Sequence, residues 1–489
     1  MIRFTHVWVL AILLSLFATT TSIAWSQEAE PDDTAAQVEA ADETTDEAAD
    51  TGPLVMTDGE LGDSLAAHNA WMLVCCALVL FMTAPGLAMF YGGLVRRKNV
   101  LSVMMQCIFL MGLMSVIWAL YGYSLAFGGD GLWLGNADYV MMNGVERYFD
   151  ETRGEPVTPM LAEDIPIPML THMMFQGMFF IITPALICGA FAERMKFSAM
   201  VIFSVLWGTL IYCPLCHVVW DGGVLAYGDK GWAGGALDFA GGTVVHISSG
   251  VSALVAAILL GPRMGYQKEP LQPHNLTYTV LGAAMLWVGW FGFNAGSELL
   301  SDGITSSAFA VTHFSAAAGA VSWALAEWLI LRKPTVLGAS SGAVAGLVCI
   351  TPAAGFVQPM PALFMGALAG VVCFFACSKM KHALKYDDAL DAFGVHGVGG
   401  TLGAILTGVF ASRACWDIGG KEIGMLEAGN ADLVIGQIVA VAVTFVFAGI
   451  GSLILLKIID VVIGLRVPAD QEQRGLDQSD HGEEGYMFA

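Results

Sequence analysis

Residues 433–456 read LVIGQIVAVAVTFVFAGIGSLILL, a run of 24 residues without a charged side chain. A helix needs about 20 mainly apolar residues to cross the hydrocarbon core of a bilayer. The run continues to residue 463 with only Lys457 and Asp460 as charges. This stretch therefore predicts a transmembrane helix near 433–463 and a fold that lies within a membrane.

Ten further apolar runs of comparable length precede this one, and together the eleven runs predict an all-α polytopic membrane protein. The boundaries of these ten runs lie near 69–92, 99–127, 167–191, 197–219, 239–261, 275–297, 305–331, 336–353, 361–383 and 393–411.

The composition agrees with this prediction. Of 489 residues, 56% are hydrophobic and 13% are charged, whereas an average globular protein is about 25% charged. So little charge cannot cover soluble domains, which excludes a cytosolic enzyme, a disordered protein and a nucleic-acid-binding protein. We find no nucleophile–base set and no cofactor motif, so we expect neither enzymatic activity nor a cofactor.

The first 26 residues have the features of a secretory signal peptide. Arg3 lies in a short amino-terminal region, an apolar stretch runs from 7 to 18, and Ala24-Trp25-Ser26 resembles a cleavage site. We therefore expect residues 1–26 to be removed and not to count as a membrane span.

The remaining chain divides into an arm, a membrane domain and a tail. Residues 27–63 carry thirteen Asp and Glu and no Lys or Arg, a composition typical of a disordered, solvated segment. We predict a disordered acidic arm over 27–66, a membrane domain over 67–463 and a cytoplasmic tail over 464–489. For the arm we expect a solubilising spacer or weak enrichment of cations.

The basic residues predict the orientation. Fifteen Lys and Arg fall on one side of the predicted spans and five fall on the other, and the side richer in Lys and Arg is normally cytoplasmic. This bias puts the mature N-terminus outside the cell membrane and, after eleven spans, the C-terminus in the cytoplasm. The five on the outer side are Arg147, Arg153, Lys230, Arg413 and Lys421.

Two histidines at membrane depth are the strongest candidates for a functional site. His246 lies in the fifth apolar run and His396 in the tenth, and each follows an aspartate, Asp238 or Asp391. This spacing predicts a five-plus-five inverted repeat, with an additional C-terminal helix and a site near the membrane midplane. A packing role and a metal site are the alternatives, but two histidines are too few ligands for a metal held by protein alone. A proton relay or a polar pore lining fits better.

Small-residue motifs in three late runs predict close helix packing. They are Gly342-x-x-x-Gly346, Gly366-x-x-x-Gly370 and Gly399-x-x-x-Gly403. By themselves they indicate a tight bundle and no substrate.

Four strings identify a family resemblance over about residues 69–485. The chain resembles the Amt/Rh superfamily of ammonium transporters, and its bacterial Amt branch in particular. The strings are FYGGLVR at 90–96, DFAGGTVVH at 238–246, WFGFNAGS at 290–297 and DAFGVHGV at 391–398.

The resemblance implies an outer site that recruits ammonium. By this resemblance Trp220 and Phe179 form an aromatic cage, Ser297 supplies a hydroxyl, and Asp238 is the buried acid close by. Residue types alone also allow an interfacial Trp and core Phe, and Asp238 is equally suited to cap a helix.

The resemblance also implies a gate and a pore. Phe175 and Phe179 match a stacked pair that closes the pore, and Phe293 lines the same region. Below this gate His246 and His396 would form a hydrogen-bonded pair in an apolar pore, past which ammonia travels after ammonium is deprotonated. Whether the proton follows stays open. The alternatives are an ammonium sensor, although the short tail leaves little room for a signalling domain, and a Rh-like ammonia or carbon dioxide channel, which Trp220 disfavours.

The partners implied by the resemblance are ammonium, with methylammonium as an analogue, and two protein contacts. The family forms homotrimers, and family tails similar to residues 464–483 dock PII-type signalling proteins. A tail that only packs against its own or a neighbouring subunit is the alternative. We expect the protein in the inner (cell) membrane, without a metal and without nucleic acid.

Overall fold

The computed structural model describes residues 54–57, 63–418 and 420–486. The predicted signal peptide over 1–26 and most of the predicted acidic arm lie outside these residues.

Eleven helices in the described residues are long and apolar enough to cross a membrane, which confirms the predicted all-α polytopic fold. Every boundary lies within three residues of the sequence-based prediction. In chain order they are α1 Ala66–Leu94, α2 Arg97–Phe127, α3 Met169–Phe191, α4 Phe197–Trp220, α5 Gly242–Leu260, α6 Leu276–Glu298, α7 Gly303–Leu331, α8 Val336–Ala353, α9 Pro359–Leu384, α10 Phe393–Phe410 and α11 Asp432–Ile463. Short helices at Met425–Ala428 and Ala469–Arg474 follow α10 and α11.

Helices α7, α8 and α9 pack tightly through the predicted small-residue motifs. A Cβ atom on Gly342 would lie 2.5 Å from the carbonyl oxygen of Gly319, and one on Gly366 would lie 2.1 Å from that of Ser315. Because these distances are shorter than real Cβ contacts, only glycine allows the backbones this close. The motifs therefore set helix spacing, as the sequence predicted.

A small antiparallel sheet covers one end of the bundle, which we call the sheet end. Strand β1 (Val55–Met56) pairs with β3 (Glu155–Pro159), which also pairs with β2 (Tyr148–Asp150). The prediction of a disordered arm over 27–66 is therefore wrong for Val55–Met56. It is also wrong for its last residues, because the helix that contains the span α1 begins at Asp63, before the span itself. These two apolar residues interrupt the acidic run, and the edge of β3 supplies their hydrogen-bond partners.

The tail packs along the opposite end, which we call the tail end. Asp477 accepts a hydrogen bond from the backbone N–H of Ser102 at 2.8 Å, and Glu472 accepts one from the backbone N–H of Met264 at 2.7 Å. These bonds join the tail to the starts of α2 and of the loop after α5. The tail thus contacts its own chain.

Candidate functional site

The two membrane histidines meet in the centre of the bundle. The Nδ1 atoms of His246 and His396 lie 3.2 Å apart, and the two rings stack with an angle of 23° between their planes. Both residues are buried, with 1% and 5% of their surface exposed. A hydrogen bond between two Nδ1 atoms needs one donor and one acceptor, so at least one ring carries no proton at this atom.

Each histidine lies in a π-helical turn at the start of its helix. These turns are Gly242–Ile247 in α5 and Phe393–Gly397 in α10. At Gly400 in α10 an added Cβ atom would lie 3.0 Å from the Cβ of His246, and one at Gly250 in α5 would collide with the backbone of Gly397. Each helix therefore has a glycine where the other helix's turn passes.

An aspartate caps each of these turns. The carboxylate of Asp238 accepts hydrogen bonds from the backbone N–H groups of residues 241–244 at 2.5–3.2 Å, and another from the Thr243 hydroxyl. Both oxygens are thus used by the N-terminus of α5, where free N–H groups and the helix dipole favour a carboxylate. Of the two roles that the sequence allowed for Asp238, this geometry supports the cap.

The second cap is Asp388, which corrects the expectation that Asp391 matches Asp238. Asp388 lies eight residues before His396, as Asp238 lies eight before His246, and it accepts from the backbone N–H of Phe393 at 2.7 Å. Burial, together with the charge of Asp391, raises the pKa of Asp388 to about 6. Asp391 instead pairs with Lys381. The sequence suggested Asp391 as the counterpart of Asp238 only because Asp391 is the aspartate nearest before His396. The inverted repeat itself stays a prediction.

An aromatic cavity of about 250 Å³ opens at the sheet end. Its lining includes four predicted site residues: Phe179, Trp220, Asp238 and Ser297. The Trp220 indole N–H donates to the backbone oxygen of Asp238 at 2.7 Å. The Ser297 hydroxyl donates to the backbone oxygen of Phe293 at 2.8 Å, which leaves the lone pairs of its oxygen free to accept.

Phenylalanine rings separate this cavity from the histidines. The ring centroids of Phe179 and Phe293 lie 4.4 Å apart, and both side chains are almost fully buried. Phe175 meets Phe179 edge-on, at 5.0 Å and 73°, so the expected stacked Phe175/Phe179 pair is wrong. Phe179 lines the aromatic cavity and Phe293 lines the space around the histidines, whereas Phe175 lines neither of these two and supports Phe179 from behind.

Beyond the phenylalanines the path narrows sharply. A narrow cavity of about 10 Å³ touches both histidines, Phe293 and Trp290, and its remaining lining is aliphatic, methionine or Phe90. The Nε2 atom of His246 has no hydrogen-bond partner within the described part of the chain. A space of this size holds about one water-sized molecule.

A charged cavity of about 440 Å³ follows at the tail end. His396 lines both this cavity and the narrow one, so the two spaces meet at its ring. Charged side chains line its walls, namely Arg263, Glu269, Glu327, Lys381 and Asp391. In residues 54–57, 63–418 and 420–486, no group of three or more His, Cys, Asp or Glu side chains is arranged to hold a metal ion.

Several lining residues of the aromatic cavity were missed from sequence. Gln176 and His172 lie one and two helical turns before Phe179 on α3, so a helical-face argument could have found them. Phe239, Phe356 and Trp416 come from three separate loops, and no sequence pattern brings them together.

Comparison with known proteins identifies the family. The sequence profile of the Ammonium Transporter Family matches residues 70–486. The chain belongs to this family. It is 48% identical to the ammonium transporter of Bacillus subtilis over 414 residues, which cover 84% of this chain and 96% of that protein.

Solved structures agree with this family. The crystal structure of Saccharomyces cerevisiae Mep2 superposes with a TM-score of 0.73 and is 32% identical, covering 83% of this chain and 88% of Mep2. A structure named Sensor Amt Protein superposes with a TM-score of 0.74 at 26% identity, covering 86% and 99% of the two chains. The protein is a multi-pass membrane protein and an ammonium transporter, as the sequence predicted.

Proposed function

We propose that ammonium is recruited in the aromatic cavity at the outer face, loses a proton, and crosses the His246/His396 pair as ammonia. The proton follows along the two hydrogen-bonded imidazoles, so that one positive charge crosses with each ammonia. The observation that carries this proposal is the place of the pair. It lines an apolar space of about 10 Å³ that does not suit a cation, and this space lies beyond an aromatic cavity that does. An ammonium ion in apolar surroundings carries a desolvation penalty of several kcal/mol, which neutral ammonia avoids.

The aromatic cavity has the groups that a small cation needs. The indole face of Trp220 and the ring of Phe179, whose centroids lie 5.8 Å apart, attract a cation through their π systems. Ser297 can accept a hydrogen bond from an ammonium N–H because its own proton is already donated to Phe293. The carboxylate of Asp238 adds negative charge to the wall even though its oxygens are occupied.

The barrier in this proposal is the pair Phe179 and Phe293. These two rings are in contact and lie between the aromatic and narrow cavities. Passage requires the rings to separate, and the side of the pore facing the histidines is lined by apolar groups. Ammonium is therefore held on the outer side of the rings, and ammonia passes them after the proton has been lost.

Substitution of Trp220 tests the recruiting site. Trp220→Leu removes the π face, and a desolvated cation–π contact contributes about 2 kcal/mol. We expect half-saturation for ammonium to rise about tenfold or more in currents recorded from liposomes on a solid-supported membrane. Trp232→Leu is the matched control, since Trp232 lies on a loop at the same end, is 45% exposed and does not line the cavity. Equal half-saturation in the two variants would refute the assignment.

A sensing function is the second candidate, and the likeness to the Sensor Amt Protein favours it over a Rh-like gas channel. The two candidates differ in flux. A sensor would bind ammonium with little transport, so liposomes would show the binding transient without a sustained current. A sustained current that scales with ammonium supports transport.

We further propose that the tail end is cytoplasmic, that the protein lies in the inner membrane as a homotrimer, and that its tail docks a PII-type protein. The excess of Lys and Arg at this end supports the orientation. Deleting residues 468–489 should abolish capture of a PII-type protein while the ammonium current persists. For the orientation, a reporter enzyme that works only in the cytoplasm should be active when it is fused to the C-terminus. Unchanged capture by the truncated protein would contradict the role of the tail.

A further inference from the structure

The aromatic cavity is much larger than the ion that it is proposed to recruit. Ammonium is close in size to water, which needs about 10–15 Å³ of cavity volume, whereas the cavity measures about 250 Å³. Trp220, Phe179 and Ser297 account for one part of its wall. The remainder of the wall has room for groups larger than ammonium.

A second aromatic wall forms this remainder. Trp416 stacks on Phe356 with centroids 5.4 Å apart and 23° between the planes, and the ring of Phe239 meets both edge-on. A Cβ atom on Gly355 would lie 2.1 Å from the Phe239 ring, so the chain leaves this position bare to admit the ring.

The loop that carries Trp416 is fixed by hydrogen bonds. The backbone N–H of Ser412 donates to the oxygen of Phe356 at 2.8 Å, and the N–H of Trp416 donates to the oxygen of Ser412 at 3.3 Å. Ion pairing between Arg413 and Asp417 closes the same turn. Trp416 is therefore held at the cavity by its loop and by its stacking on Phe356.

We propose that the aromatic cavity also binds quaternary alkylammonium cations, with Trp416 as the wall that contacts their alkyl groups. Aromatic cages are the usual way in which proteins bind such cations, because the positive charge is spread over methyl groups that cannot donate N–H hydrogen bonds and is attracted by the π faces of the rings. The carboxylate of Asp238 supplies a compensating negative charge. This inference rests on the proposed recruitment of ammonium in the same cavity.

Bound alkylammonium stays on the outer side and competes with ammonium. The rings of Phe179 and Phe293 close the way forward, and the narrow cavity beyond them is far too small for a tetramethyl cation. Tetramethylammonium also has no N–H group, so its binding does not use the Ser297 hydroxyl. Substitution of Ser297 should therefore affect the binding of ammonium, and substitution of Trp416 should affect the binding of the alkylated cation.

The test uses tetramethylammonium chloride as the probe on the reconstituted full chain. In wild type it should carry no sustained current and should inhibit ammonium current competitively. Trp416→Leu should raise the ratio of its inhibition constant to the half-saturation for ammonium about tenfold, in line with loss of one cation–π contact. Ser297→Ala should lower this ratio, and Trp232→Leu should leave it unchanged.

The outcomes separate this inference from the function on which it rests. If Trp220→Leu leaves half-saturation for ammonium unchanged, the recruiting site itself is wrong. If Trp220→Leu weakens ammonium but tetramethylammonium does not compete, or if Trp416→Leu behaves as Trp232→Leu, only the present inference is overturned. A sustained tetramethylammonium current would equally overturn it. Size-exclusion profiles of each variant establish that the protein is folded before it is compared.

Discussion

At His246 and His396 the chain buries two titratable rings among apolar side chains. Their Nδ1 atoms share one hydrogen bond, and His246 is stacked against both Trp290 and Phe293. A neutral imidazole offers no fixed charge to a metal cation but can donate and accept protons. We therefore expect this pair to select for a neutral permeant species.

Replacing His246 by Asp should change the selectivity of the pore. A carboxylate at this place can coordinate a partly dehydrated cation, so His246→Asp should admit a potassium current that wild type lacks. Changing both histidines to leucine should suppress electrogenic ammonium transport. Both are measured as currents in liposomes. A folded double variant with wild-type ammonium current and no potassium current would place selectivity elsewhere, with the Phe179/Phe293 barrier as the first alternative.

At the scale of the element, the start of α5 depends on one carboxylate. Asp238 satisfies the N–H groups of residues 241–244, where the chain turns into the helix through Gly241 at φ +107°. This φ lies in the left-handed region that favours glycine. His246 lies within the same π-helical turn, so the cap also sets the position of the ring.

Asp238→Ala and Asp238→Asn separate capping from charge. Loss of a cap costs about 1–2 kcal/mol, and here several buried N–H groups lose their partner at once, so Ala should lower the melting temperature and abolish current. Asn keeps one acceptor oxygen and should retain part of both. The melting temperature in detergent and the ammonium current are the two measurements. If Asn is as inactive as Ala yet as stable as wild type, the charge of Asp238 matters more than its cap.

At the scale of the molecule, an ion-pair network joins the loops at the tail end. Arg263, after α5, donates to both oxygens of Asp387, after α9, at 2.8–2.9 Å. The buried Arg194, after α3, donates to the backbone oxygens of Gly261 and Asp387, and burial lowers its pKa to about 10, which still leaves it charged at neutral pH. Loops from both halves of the chain are thus tied together.

Breaking the buried pair should destabilise the whole bundle. Asp387→Ala removes the two short side-chain hydrogen bonds of the buried Arg263 and leaves it only the longer ion pair with Glu193 at 3.4 Å. Breaking a buried pair costs up to about 3–5 kcal/mol. Asp417→Ala is the matched control, because Asp417 pairs with Arg413 in an exposed position and such pairs contribute about 0–1 kcal/mol. Melting temperatures of the two variants in detergent give the comparison. Equal losses would contradict a stabilising role for this network.

The same pair predicts how stability depends on pH. Burial raises the pKa of Asp387, but the hydrogen bonds and charges of Arg263 and Arg194 outweigh it, so the pKa lies below its ordinary value. A lowered pKa means that the contribution is present above the unfolded value of about 4 and is lost as the pH falls below it. The difference in melting temperature between wild type and Asp387→Ala should therefore shrink below about pH 4.

Several features of this protein could be predicted from its sequence alone. Eleven runs of apolar residues determined the spans, because a chain in a hydrocarbon core must satisfy its backbone hydrogen bonds internally, and a continuous apolar run of about 20 residues does so as a helix. Glycine spacing indicated where helices approach closely, and two histidines among apolar residues indicated the candidate site. These are local patterns, and each is visible without knowing what lies opposite in space.

The tertiary structure decided what depends on distant parts of the chain. In the structure Asp388, and not Asp391, caps the second π-helical turn. Phe293, and not Phe175, is the partner of Phe179 in the proposed barrier. The tertiary structure also brought Phe239, Phe356 and Trp416 to one cavity and docked the tail on its own chain. Sequence spacing records which residues share a helix face, but not which faces meet. Those contacts arise only when eleven helices and their loops pack together.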